Sequence, residues 1–150
     1  MWNSNKSLQL SCICTRFVMV LVVVCAAALP YLIDIYLSIG PHYISEMDMG
    51  PFMVILYACC IPALAALFNL DRLLRNIKKE EVFTDKNVTC LRRISWCCFG
   101  AAVLVVMAGY YYFLFYFVAV VIAFIGLILR VVKNVIEQAV IIKAENDFTI

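Results

Sequence analysis

From Trp96 to Leu129 the chain reads WCCFGAAVLVVMAGYYYFLFYFVAVVIAFIGLIL, 34 residues without a charge. As one helix this would be roughly 51 Å long at ~1.5 Å per residue, well beyond a hydrocarbon core of ~30 Å. Gly109 followed by Tyr110, Tyr111 and Tyr112 sits near its midpoint, and Tyr prefers the lipid headgroup level. The stretch therefore reads as two spanning helices, 96–111 and 113–132, joined by a very short turn. The composition of the whole chain agrees: 66% of its 150 residues are hydrophobic and 15% charged, with a mean hydropathy of +0.99. Those values exclude a soluble enzyme domain. The formal net charge of +2 is too small to argue for nucleic acid, and no direct nucleic-acid binding is expected.

Upstream, the apolar run 17–39 is long enough to form the first span, although Pro30 and Asp34 interrupt it. A cleavable leader is the rival reading, because Lys6 and Arg16 precede a run that reaches Ala26, Ala27 and Ala28. The run continues through Tyr31, Leu32 and Ile33, which favours a retained helix. Residues 52–70 form the second span, with Pro62 in its middle predicting a kink. Between these two spans lies a polar segment with His42, Glu46 and Asp48 but no Lys or Arg, which reads as an external loop.

The distribution of charge then sets the topology. Lys6 and Arg16 precede the first span, seven bases lie between Arg72 and Arg93, and Arg130, Lys133 and Lys143 lie at or beyond the end of the fourth span. By the positive-inside rule both termini and the central loop are cytoplasmic. Seven tyrosines, at 31, 36, 43, 110, 111, 112 and 116, fall toward the opposite side. The expected fold is all-α, a four-transmembrane-helix bundle forming a single membrane domain over 1–150, placed in a bacterial cytoplasmic membrane with its termini inside.

The loop 71–95 is predicted to be a helical hairpin. Leu70, Leu73, Leu74 and Ile77 share one helical face. Thr84 then stands as an N-cap with Asp85 in the first turn, and Phe83 and Val88 occupy the two positions of a hydrophobic staple. Val88, Leu91, Ile94 and Ser95 keep a three-to-four spacing, leaving Arg92 and Arg93 toward water or headgroups. The tail 133–150 continues the fourth helix with a broad apolar stripe, 128, 131, 132, 135, 136, 139, 140 and 142, expected to pack within the protein. This basic face has two readings: a solvated surface against anionic lipid, or a docking surface for a soluble partner.

Leu74-Arg75-Asn76-Ile77, Val82-Phe83-Thr84, Asn87, Leu91-Arg92-Arg93-Ile94 and the terminal Glu145-Asn146-Asp147-Phe148-Thr149-Ile150 resemble the bacterial membrane family catalogued as domain of unknown function 2975. Members of that family have no established enzymatic activity and are often encoded beside a small helix-turn-helix regulator of the Cro/repressor type. The resemblance thus implies a regulator and membrane pair. It carries Phe83, Asn87, Arg92 and Arg93 in the hairpin and Glu145, Asp147 and Thr149 in the tail as partner-binding candidates. Phe148 departs from the Leu common in the family. Pairing of Glu145 and Asp147 with the basic hairpin is expected.

Other chemistry is sparse. Eight cysteines include no C-x-x-C and none in the external loop, so disulfides are not expected; Cys12-Ile13-Cys14 and Cys97-Cys98 leave soft-metal binding or palmitoylation open beside plain packing. His42, Glu46 and Asp48 are a weak candidate metal or proton site. Asp34 is the one ionisable residue inside a predicted span, near its outer end. No nucleophile–base pair or ligand cluster is visible, so neither an enzyme nor a cofactor is expected. The favoured function is a non-enzymatic membrane protein that binds or sequesters a helix-turn-helix regulator at its cytoplasmic face. A small transporter or channel subunit, or a structural subunit of a membrane assembly, is the alternative, and self-association is open.

Overall fold

The computed structural model describes residues 4–39, 48–79 and 82–148. Helices α1 (Ser4–Ile39), α2 (Met49–Lys78), α3 (Asp85–Ala108) and α4 (Leu114–Phe148) make up all of its regular structure among these residues. All four are long and apolar enough to cross a membrane, which makes this a multi-pass membrane protein. The uncharged stretch divides where the tyrosines predict: α3 ends at Ala108, Gly109–Phe113 form the turn, and α4 starts at Leu114.

The helices run past the apolar segments, and all the surplus length lies at one end. α1 begins at Ser4 rather than near Phe17, α2 continues past Leu70 to Lys78, and α4 continues past Leu129 to Phe148. This end carries the bases and is called the basic end; the other is the Tyr-rich end. Pro30 and Pro62 lie inside unbroken helices.

Each helix packs on its neighbour in sequence, α1 on α2, α2 on α3 and α3 on α4; among the described residues α1 and α4 do not meet. The bundle is therefore an open row. Its densest core lies toward the basic end, where Leu73 of α2 meets Cys90, Leu91 and Ile94 of α3, flanked by Leu70, Ile77, Leu129 and Ile136. The predicted spacing in α3 is realised: Val88, Leu91, Ile94 and Ser95 are all buried. A second cluster joins Phe52 and Ala108 at the Tyr-rich end.

Packing of the tail departs from the expectation. Ile136, Ala139 and Val140 are half-buried, but Ile128, Val131, Val132, Val135 and Ile142 are exposed. The reason is width: the stripe spans more of the helix circumference than one neighbouring helix can cover, and α4 has only α3 beside it.

Candidate partner-docking face

Polar contacts that define the basic end begin at the hairpin. Asn87, only 1% exposed, accepts a hydrogen bond on Oδ1 from Asn76 Nδ2 and donates its own Nδ2 to the Val82 carbonyl, each at 2.9 Å. One side chain thus ties the end of α2 to the connection and to the start of α3. Thr84 occupies the N-cap in extended geometry, yet its hydroxyl makes no cap bond and is buried without a hydrogen-bond partner. Its carbonyl instead accepts the backbone N–H groups of both Asn87 and Val88. Of the expected staple pair, Val88 is buried and Phe83 is 48% exposed, lining a cleft with α4.

Asp71, buried at the edge of the core, pairs with Arg16 of α1 at 3.2 Å and with Arg75 one turn on at 2.9 Å. This is the ion pair that joins α1 to α2. Between α3 and α4, the buried Ser95 hydroxyl donates to the Gly126 carbonyl at 2.8 Å. The close approach there favours glycine: a Cβ at 126 would lie 3.0 Å from Cys98 Cβ. Further out, Glu137 of α4 accepts from Arg92 of α3 at 3.3 Å and from Lys133 on its own helix. The Lys133 hydrogen bond, reinforced by the Arg92 charge, holds the Glu137 carboxyl below its ordinary value.

Two clefts open on this scaffold. The larger, about 520 Å³, runs between the hairpin and the tail and is lined by Phe83, Ala139, Ile142, Lys143 and Asn146. The other, about 240 Å³, lies along α2 and α3 and is lined by Arg72, Asp85, Lys86, Thr89, Cys90 and Arg93. An apolar groove with a Lys on its rim and a basic cleft therefore sit beside the same hairpin. The sequence profile described as "Protein of unknown function (DUF2975)" matches residues 27–150. The chain belongs to that family. No curated protein and no solved structure matches it.

The motif residues of this DUF2975 chain sort into two kinds. Phe83, Arg92, Arg93 and Glu145 are exposed and can touch a partner, whereas Asn87 is buried and shapes the face from beneath. The Asp147 side chain and Thr149 lie outside the described residues, as do His42 and Glu46. Asp48 is exposed at the N-terminus of α2, and Asp34 is exposed on α1. The carboxylate seen against Arg92 is Glu137. All eight cysteines are unbridged, and among the described residues no three His, Cys, Asp or Glu side chains gather as a metal site would require.

Sequence reasoning missed Asp71, Asn76 and Glu137 and took Ser95 only as part of a periodic face. A signal existed for Ser95 and Asp71. Each is a polar residue at or beside a position whose neighbours are periodic and apolar, and such a group needs a partner when buried.

Proposed function

We propose that this protein is a non-enzymatic member of the bacterial cytoplasmic membrane, with both termini and the α2–α3 hairpin inside, whose basic end receives and sequesters a small helix-turn-helix regulator. The observation that carries this reading is the Asn76–Asn87–Val82 clamp centred on the buried Asn87. A merely solvated charged loop has no need of an ordered polar lock beneath it, whereas a docking face gains affinity from being fixed before its partner arrives. The charge distribution and the exposed Phe83, Arg92 and Arg93 beside the two clefts support the same assignment.

The test is capture of the solubilised full chain from its native host, beside an Arg92→Ala/Arg93→Ala variant. Recovery of a helix-turn-helix protein that the variant loses supports sequestration through the hairpin. Failure to recover such a protein with the unaltered chain ends this reading. A reporter fused after Ile150 tests the orientation separately and is expected to be active only as a cytoplasmic fusion.

The unclosed row of helices favours a second reading, a subunit of a larger membrane assembly. Exposed apolar faces on α1 and α4 can meet lipid or another spanning helix equally well, since lipid tails are as apolar as Leu. Co-purification of a stoichiometric membrane partner, unaffected by the hairpin variant, would select it.

A further inference from the structure

A third cleft, of about 150 Å³, opens where α3 and α4 leave the uncharged stretch; it is lined by Arg92, Ser95, Trp96, Arg130, Lys133 and Asn134. Three of its six residues are bases. Glu137 is the carboxylate paired with Arg92 and Lys133, while the Arg130 guanidinium lies over the Trp96 ring, 5.7 Å from its centroid. Positive charge is thus in excess, and the Lys133 side chain is only 13% exposed, so its ammonium is partly withdrawn from water. Such an arrangement attracts an anion.

The position of the cleft says which anion. No charge follows Arg93 within α3, and none precedes Arg130 within α4, so the bases stand at the first level where these helices can meet headgroups. Trp96 is 62% exposed, as an aromatic residue at a membrane interface is expected to be. Beyond it, exposed Val103 on α3 and exposed Leu127 and Val120 on α4 continue the same two faces at helical spacing. A basic cleft therefore caps an open apolar strip between two spanning helices.

We infer that this cleft binds the phosphodiester headgroup of an anionic phospholipid, with an acyl chain lying along Trp96, Val103 and Leu127. Arg92 and Arg130 offer planar forks that match phosphate oxygens in pairs, and Lys133 adds a point charge. The Asn134 Oδ1 accepts from Lys133 at 3.2 Å, which leaves its NH₂ as a further donor. Ser95 does not bind the anion; by holding the Gly126 carbonyl it fixes the spacing of the two helices and so of their bases. The cleft has room for a phosphate group and several waters. Basic pockets between spanning helices are an established form of headgroup site. This inference rests on the membrane-spanning fold and is independent of the regulator reading.

The test is native mass spectrometry of the full chain released from mixed micelles holding equal amounts of phosphatidylglycerol and phosphatidylcholine. Unaltered protein is expected to retain phosphatidylglycerol preferentially. Arg130→Gln/Lys133→Gln should weaken that retention about thirtyfold, the contribution of two bases near a charged surface. Arg72→Gln/Arg93→Gln, which removes the same charge from the neighbouring cleft, should leave the preference within about twofold, a change under ~0.5 kcal/mol. Arg130→Lys, which keeps the charge and spares the fold, should lose an intermediate amount. Equal retention of the two lipids, or equal loss in both double variants, overturns the site. Inorganic phosphate added as competitor separates the sources: failure to displace the lipid supports a headgroup anchored by its chains, and ready displacement makes the cleft a free-anion site and overturns the lipid assignment.

Discussion

The two ends of the bundle are held by different physics. At the basic end the helices are joined by directional contacts: Asp71 to Arg16, Asn76 to Asn87, Ser95 to Gly126 and Arg92 to Glu137. At the Tyr-rich end, Phe52 packs against Tyr111 and Phe115 with ring centroids 5.4 and 6.0 Å apart, above a fully buried Ala108. In lipid, apolar packing brings helices together without dictating one arrangement, because the tails compete for the same surface. Polar contacts across helices specify both register and neighbour. The specific contacts are concentrated at the basic end.

Breaking the basic end at its lock should have the largest effect. Asn87→Ala removes two hydrogen bonds made by a buried side chain; the half-buried Asn76 amide and Val82 carbonyl can partly rehydrate, so at about 1 kcal/mol per bond plus the cavity left behind a net loss of about 2–3 kcal/mol of unfolding free energy is expected in mild micelles. Asp71→Ala comes next. Its partners Arg16 and Arg75 are 60% and 51% exposed and can rehydrate, which discounts the loss to about 1–2 kcal/mol; a double-mutant cycle with Arg16→Ala measures the α1–α2 share.

At the Tyr-rich end Phe52→Ala is expected to cost about 1–2 kcal/mol, below the ~3–5 kcal/mol of a water-facing fold because lipid offsets part of the loss. Fluorine labels at Tyr111 and Tyr112 should report the change while hairpin signals stay in place. Gly126→Ala should cost about 1 kcal/mol by pressing on Cys98, read as a lowered melting temperature. The corresponding change at Gly109 should cost at least as much, since its Cβ would come within 2.8 Å of Tyr116 Cε1 and the ring must shift to admit it.

Acid should have the smallest effect. The Glu137 carboxyl is lowered from its ordinary value of 4.5 chiefly by the hydrogen bond from Lys133, against an opposing push from desolvation, with the charges of Lys133 and Arg92 assisting. A depressed folded value means that the contribution is fully present above the ordinary carboxylate range and is lost as pH falls through the folded value. Stability curves of the unaltered protein and Glu137→Gln should differ at neutral pH and converge in acid. Parallel curves would remove the pair from the set of contacts that matter.

Much of this fold is legible from hydropathy and charge alone. Four spans, the break at Gly109 and the inward positions 88, 91 and 94 follow from periodicity, because burial of a helical face repeats along the chain. The site is less legible. Arg92 meets Glu137 of α4, and no periodic pattern singles out one carboxylate among those on a single long helix. Thr84 has the right residue type for a capping hydroxyl, but its own carbonyl already takes the Asn87 N–H, one of the donors that the hydroxyl would serve. Asn87 stands out in the motif, yet only the folded hairpin reveals that it faces inward.

The most direct test of the contrast between the ends is hydrogen exchange of the full chain in bilayer nanodiscs, comparing the unaltered protein with Asn87→Ala. The account predicts slow exchange for the amides of residues 87–91 in the unaltered protein. In the variant these amides should exchange at least about tenfold faster, equivalent to ~1.4 kcal/mol of local stability, while the amides around Phe52 and Ala108 stay unchanged. Fast exchange of the hairpin in the unaltered protein, or no response to the substitution, would contradict a basic end held rigid by its polar lock.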